Sequence, residues 1–299
     1  MYGHRVRPLD PSLPHAGGRD DLVQLDPDHP GFRDPVYRGR RNTIARIALA
    51  YQTGEAVPEA PYTDEEHEVW RMVWRTLAPV HERLLCRDLL DLQRDFPLGQ
   101  ERIPQLRELN PRLSAAAGYR MEPVAGLVSA RTFLQYLGRR VFLSTQYIRH
   151  HSRPFYTPEP DVVHELVGHA ATLVHPAIAE VNRLLGQAAA VASEAEMARL
   201  DRVYWYTIEF GLVEQEGEPK AFGAGLLSSV GELRDFATHA QLQDWDLDRM
   251  ATTPFDPTTY QSTLFVAPTF TRLLVDLSVW VRTGAWRGEA TRSDEGAKA

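Results

Sequence analysis

The side chains best equipped for chemistry stand in Thr157-Pro158-Glu159-Pro160-Asp161-Val162-Val163-His164-Glu165-Leu166-Val167-Gly168-His169. Imidazole is the commonest side-chain metal ligand, and this stretch holds two, the first beside a carboxylate. The prolines and Asp161 read as a stop, a turn and a helix start, which puts both histidines near the start of that helix. Their spacing is five. The zinc peptidase signature H-E-x-x-H sets its histidines one step closer, on one helical face. At about 3.6 residues per turn, five steps leave the imidazoles roughly 140° apart. One metal can take both where the helix distorts, and Gly168 permits distortion just before the second histidine. The plainer alternative is two unrelated histidines on a partly buried helix.

A third ligand decides between these. Glu209, in Tyr204-Trp205-Tyr206-Thr207-Ile208-Glu209-Phe210-Gly211, is an acid inside an aromatic and β-branched run. A bare carboxylate is costly to bury there without a partner. Two imidazoles and one carboxylate make the facial ligand set of non-heme Fe(II) oxygenases, with coordination positions left open. A different chemistry would use the same stretch: a zinc-dependent hydrolase with Glu165 as general base beside His164 and His169. The five-residue spacing counts against it.

TPEPDVVHELVGH, VYWYTIEFGL and AFGAGLLSSVGEL, in that order, resemble the catalytic domain of the pterin-dependent aromatic amino acid hydroxylases, closest in type to phenylalanine hydroxylase. YTDEEHEVW, RIPQL, YRMEPVAGLVSARTFL and RRVFLSTQYIRH extend the likeness, which runs from about Tyr62 to Phe270. The resemblance implies ring hydroxylation of a free aromatic amino acid by O2, with Fe(II) and a tetrahydropterin (tetrahydrobiopterin or a relative) as cofactors. It implies that His164, His169 and Glu209 hold the iron. The Gly126, Leu127 and Val128 backbone would bind the pterin, Phe133 would stack on its ring, and Glu165 and Tyr204 would complete that side. Arg149 would clamp the substrate α-carboxylate, with Thr157, Pro160, Trp205 and Ser228 around the substrate. Ser228 would steady His164, and Glu232 would lie near Arg149; with Glu165 they form the expected catalytic set.

The same residues have plainer roles. Phe133 is also a core aromatic. Arg149 could pair structurally with Asp161 or Glu232, because its charge cannot be lost. Ser229 to Glu232 has the form of a capping box. His150 and His151 are ligand types but read as structural or exposed. Two departures from the family pattern stand out: Leu143 replaces a histidine of the animal enzymes near the pterin, and Ala170-Ala171 stands where Val-Pro is usual. For the substrate, a bulky indole at 205 favours a monocyclic ring. Within Phe255-Asp256-Pro257, an apolar Pro257 at the pocket rim favours phenylalanine, whereas an acid there is the mark of tyrosine-preferring members. The expected order is phenylalanine, tyrosine, then tryptophan.

The rest of the chain bounds these readings. Lys and Arg total 33 against 40 Asp and Glu, a net charge of −7, so no basic stripe suits nucleic acid. Cys86 is the only cysteine, which excludes an intrachain disulfide and fits a reducing compartment. The first residues lack the apolar core of a secretory signal, and no apolar run approaches the ~20 residues of a membrane span. A soluble cytoplasmic protein is expected, a monomer or dimer, without the heptad helix of tetrameric animal members.

The pattern predicts a mostly α-helical single domain with a few short strands. Residues 1–40 read as an irregular arm, 41–288 as the catalytic domain and 289–299 as a polar tail. A helix is expected over Asn42–Tyr51. Another should start at the Thr63–Glu66 capping box, with Val69, Trp70, Val73, Trp74 and Leu77 on one face. Pro79 should kink or restart it, and Pro111 should interrupt the helix over Leu106–Leu113. Ala188–Leu200 reads as helical, Phe222–Leu227 as a short extended run, and Leu264–Leu277 as one last helix.

Overall fold

The structure, a computed structural model, describes residues 22–288. The expected tail 289–299 and residues 1–21 of the expected arm lie outside the described residues. In chain order come α1 (Pro35–Ala50), α2 (Asp64–Leu84), α3 (Arg87–Asp95), α4 (Leu106–Ala117), β1 (Arg120–Pro123), α5 (Ala130–Gly138) and β2 (Val141–Ser144). A π-helical segment, His164–Ala170, then runs straight into α6 (Ala171–Leu173), followed by α7 (Pro176–Val191) and α8 (Glu194–Tyr204). A second π-helical segment, Trp205–Glu209, leads to β3 (Leu212–Gln215), β4 (Glu218–Ala221), α9 (Ala224–Ser228) and α10 (Val230–His239). The last elements are β5 (Gln241–Asp244), α11 (Leu247–Met250), β6 (Thr263–Ala267), α12 (Phe270–Arg282) and a 3-10 turn at Ala285–Arg287. The fold is mostly helical, as expected. β1 and β2 pair in parallel, and the second sheet has the order β4-β3-β6-β5. Among the described residues no helix is long and apolar enough to cross a membrane.

The capping box forms: Glu66 N–H donates to Thr63 Oγ1 and Thr63 N–H to Glu66 Oε2, at 3.3 and 2.7 Å. The stripe behind it is buried, with Trp70 and Trp74 edge-on at 6.0 Å. Pro79 does not end α2. Val80 and His81 beyond it are buried, and His81 Nε2 lies 2.8 Å from the Leu227 carbonyl, so packing carries the helix past the missing bond. Pro111 does not interrupt α4 either. Just before it, the Asn110 side chain bonds both the N–H and the carbonyl of Met121 in β1, and Leu113 after it is fully buried.

Three other boundaries differ from expectation. α1 starts at Pro35, inside the stretch read as an arm, because Asp34 caps the Val36 and Tyr37 N–H groups and proline suits a first helical position. The Ala188–Leu200 stretch is two helices, broken where Ser193 and Glu196 form a capping box. Leu264–Leu277 is divided between β6, which lies between β3 and β5, and α12, which Thr269 caps. Phe222–Leu227 is not extended; most of it enters α9. Its glycines serve close approach all the same, since a Cβ at Gly223 would lie 2.3 Å from the Glu209 carbonyl oxygen.

The π-helical histidine segment packs on α9 and on α6, and α6 leads into α7. That helix crosses α5 with Gly186 against Gly138, where a Cβ on Gly186 would lie 2.1 Å from Gly138 N and 2.2 Å from the Leu134 carbonyl oxygen. Backbone on both sides leaves nothing that can rotate away. Gly186→Ala is expected to lower stability by about 1–3 kcal/mol, the usual cost of overpacking. Chemical denaturation should read this as a lower midpoint at unchanged slope; an unchanged midpoint would mean that the two helices part freely.

Candidate active site

The five-residue spacing that a regular helix cannot use is matched by the local backbone. His164–Ala170 is π-helical, with hydrogen bonds running five residues back, and so both imidazoles fall on one face. His164 Nε2 and His169 Nε2 are 3.1 Å apart. Glu209 arrives from the other π-helical segment, with Oε1 3.1 Å from His169 Nε2 and Oε2 3.5 Å from His164 Nε2. Ligands about 2.1 Å from one metal and at right angles to one another stand ~3 Å apart. The three donors therefore have the spacing of one face of an octahedral site.

All three side chains are buried, Glu209 to 1% exposure. Among the described residues neither Glu209 carboxylate oxygen takes part in a well-formed hydrogen bond. An ionised carboxylate left so is strongly unfavourable, and a divalent cation among these donors answers that cost. The titration directions agree. Burial alone would raise Glu209, but His169 and His164 outweigh it and hold the carboxyl below the usual range. Burial pushes His164 down to about 4, despite the Glu209 charge. Burial also works to lower His169, but the Glu209 carboxylate prevails and raises it.

The tautomer of His164 follows from its other nitrogen. Ser228 Oγ donates to the Ala224 carbonyl at 2.9 Å and lies 3.0 Å from His164 Nδ1. With its proton committed, the hydroxyl accepts from Nδ1–H, which leaves the Nε2 lone pair on the ligand side. α9 supplies Ser228 and also sets the spacing: a Cβ on Gly168 would lie 2.7 Å from the Ala224 carbonyl oxygen.

Two clefts meet at this centre. One, of about 370 Å³, is lined by Gly126, Leu127, Val128, Phe133, Leu143 and Glu165 together with all three candidate ligands. This is the side that the resemblance gives to the pterin. Thr145 Oγ1 donates to Glu165 Oε1 at 2.9 Å. Burial pushes Glu165 up to about 8, against the pull of His169 and Thr145. Tyr204 does not line this cleft; it stands edge-on to Phe133 at 5.9 Å.

The other cleft, of about 850 Å³, is lined by Arg149, Thr157, Pro160, Ser228, Glu232 and Pro257 among others, and shares His164 and Pro160 with the first. Of the two partners considered for Arg149, the structure has Asp161: Nε and Nη2 donate to its two oxygens, both at 2.8 Å. Glu232 turns instead to the Gln261 N–H, 2.7 Å away, and burial raises its carboxyl to about 7 against that hydrogen bond. The Ser229 half of the capping box forms; the other half does not, because the Glu232 carboxylate is engaged at Gln261. Trp205 lies behind the wall. Its ring stacks on Phe255 at 4.2 Å and packs on Phe210 at 4.6 Å, and its Nε1 donates to Gln261 Oε1 at 2.8 Å. Phe210, not Trp205, lines the cleft. Gln261, which holds Glu232, lies outside the motifs that carry the resemblance; Thr145, which holds Glu165, stands inside RRVFLSTQYIRH, where the sequence reading gives it no role. His150 and His151 stand apart from the ligand set.

With this geometry in view, comparison with known proteins places the chain. The family described as biopterin-dependent aromatic amino acid hydroxylase matches residues 18–285. The chain belongs to that family. It is 42% identical over 265 residues to a tyrosine 3-monooxygenase of Schistosoma mansoni, covering 87% of this chain and 57% of that protein. It is also 42% identical over 266 residues to a phenylalanine-4-hydroxylase of Caenorhabditis elegans, covering 87% and 58%. The chain thus spans a little over half the length of these curated relatives. Among solved structures it is similar to Chromobacterium violaceum phenylalanine hydroxylase with bound iron(III) and 7,8-dihydrobiopterin. The TM-score there is 0.72 at 26% identity, covering 82% of this chain and 93% of that one. The π-helical geometry makes one shared metal compatible with the spacing of five, so that spacing no longer counts against the hydrolase alternative; the family match does.

Ser228→Ala tests the outer support of the centre. Removing such a partner typically weakens metal binding by about 10–100-fold. Fe(II) titration against a competing chelator should show that loss while circular dichroism stays unchanged; full affinity would mean that packing alone orients His164.

Proposed function

We propose that this chain is an Fe(II)- and tetrahydropterin-dependent monooxygenase that hydroxylates the ring of a free aromatic amino acid, with phenylalanine preferred. The carrying observation is the pair of clefts that meet at His164, one beside all three candidate ligands and the other beside Arg149. A reaction with two organic reactants around one metal needs such an arrangement. Iron and a biopterin occupy the similar bacterial structure, and the donor set here suits Fe(II). When bound, Fe(II) and the reduced pterin supply the activation of O2 for attack on an aromatic ring.

The protein's own part is positioning and exclusion of water. Arg149 spends two donors on Asp161, which fixes the plane of its guanidinium. The remaining donors are suited to a planar α-carboxylate, which a bidentate fork recognises better than a point charge. Phe133 offers an aromatic face to a flat heterocycle. Glu165, held by Thr145, can hydrogen-bond a ring nitrogen as donor or acceptor according to its protonation.

The relatives do not choose the substrate, because a tyrosine and a phenylalanine hydroxylase are equally identical to the chain. The cleft wall favours phenylalanine. Pro257 lines it, whereas Asp256 Oδ1 accepts from the Thr258 N–H and hydroxyl at 2.8 and 2.6 Å. The acid that could receive a tyrosine hydroxyl is thus engaged locally. An unpaired hydroxyl in a closed site costs about 1–3 kcal/mol. Trp205 and Phe255 back Phe210, so that wall has little room to retreat before an indole.

The test is anaerobic Fe(II) loading, then tetrahydropterin, O2 and each aromatic amino acid, with products identified by mass and retention. kcat/KM is expected to rank phenylalanine above tyrosine and both well above tryptophan. Tyrosine on top would shift the weight to Asp256, and tryptophan on top would sink the pocket argument. Glu209→Gln removes the anionic ligand and is expected to lose bound iron and hydroxylation together while keeping its fold. Turnover near the wild-type rate with full iron would take Glu209 out of the ligand set.

A further inference from the structure

A second group of metal-type side chains lies outside both clefts. Asp34 caps α1 with one oxygen only, Oδ1, which accepts from the Val36 and Tyr37 N–H groups at 2.8 and 3.0 Å. Its other oxygen is 3.2 Å from His150 Nε2. The Tyr37 N–H holds the Asp34 carboxyl below its ordinary value, so the group is an anion at neutral pH. His150 is buried, and its ring packs against that of His151 with centroids 4.2 Å apart. His151 Nδ1 in turn lies 3.6 Å from Glu65 Oε1, in the first turn of α2. One donor atom from each of Asp34, His150 and His151 falls within 4.8 Å of the others.

We propose that Asp34, His150 and His151, with Glu65 as fourth ligand, bind a divalent transition metal of the zinc type, separately from His164, His169 and Glu209. Imidazole nitrogens with carboxylate oxygens suit zinc, whereas calcium and magnesium prefer oxygen alone. Zinc bonds of about 2.0–2.1 Å in a tetrahedron set the donors ~3.3 Å apart. The Asp34–His150 pair already has that separation. The other two can adjust, because the His151 and Glu65 side chains are 45% and 66% exposed. Two carboxylates would neutralise the ion.

Support for the buried ligand is also in place. His150 Nδ1 lies 2.7 Å from Ser152 Oγ. The Ser152 N–H also donates to Nδ1, at 3.2 Å, so Nε2 carries the imidazole proton before metal binds; binding would move it to Nδ1, where the Ser152 hydroxyl can accept it in place of the N–H contact. The ion would join the N-termini of α1 and α2 to the segment after β2, directly beside Arg149. Its role there is structural: it would fasten the backbone that carries the substrate clamp.

The metal-free full chain, titrated with zinc against a chromogenic chelator, tests this. Wild type is expected to bind two zinc ions per chain, one in each centre. His151→Ala, a change at a half-exposed position, is expected to bind one tightly and to hold the other roughly tenfold or more weaker. Asp34→Asn keeps a good helix cap and removes the anionic ligand, so it should lose the same ion. Zinc should also raise the melting temperature of wild type more than that of either variant. Hydroxylation by iron-loaded His151→Ala serves as the control that the first centre is intact. Equal stoichiometry and affinity in wild type and both variants would overturn the proposal, as would a single zinc in wild type that Fe(II) displaces.

Discussion

The centre depends on one electrostatic fact: Glu209 is an acid held below its ordinary pKa in a place with almost no water and no hydrogen-bond donor of good geometry among the described residues. Among the described residues its close partners are imidazole nitrogens. A carboxylate in that position is tolerable only beside positive charge. A metal supplies it with three donors already at ligand spacing, so little reorganisation is needed on binding. Much of the surrounding architecture serves that convergence. Two π-helical segments aim the ligands, and Gly168 and Gly223 let α9 come close enough to place Ser228 behind His164.

The π turns also explain what the sequence could and could not disclose. The ligand identities were legible because their residue types are rare inside apolar runs, and the long motifs around them were legible by resemblance. The spacing of five was legible only as a conflict: a regular helix would part the histidines, so some distortion was required. Its form was not, because a π segment has no composition of its own; what the structure adds is the close approach of Gly168 to Ala224. Pro79 and Pro111 failed as breakers for a related reason. Local propensity is a weak prior, and the buried residues after each proline, Val80 with His81 and then Leu113, reward continuing the helix. The true break at Ser193 had a readable capping box, which the alanine-rich surroundings obscured.

Site residues that act through the fold were the least legible. Trp205 sits directly behind the cleft wall rather than in it, packed on Phe210 and stacked on Phe255. Gln261 shows the same limit from the other side. It lies 29 residues from Glu232 and 56 from Trp205, yet its backbone holds the first and its side chain the second. No local pattern could announce a residue whose role exists only once the loop before β6 has folded back on the cleft.

Asp161 links the Arg149 side of the site to the turn that carries His164. It is fully buried, and burial alone would raise its carboxyl; the Arg149 guanidinium outweighs this and keeps it ionised. One oxygen receives both the Arg149 Nη2 donor, at 2.8 Å, and the His164 N–H, at 3.2 Å. A single carboxylate therefore anchors Arg149 and opens the turn that bears His164. Removing one partner of a buried ion pair costs about 3–5 kcal/mol, because the survivor is left uncompensated. Here the survivor would also release the backbone of a ligand. The Arg149 guanidinium and the His164 backbone are thus positioned from one point, which ties the second cleft to the candidate metal ligands.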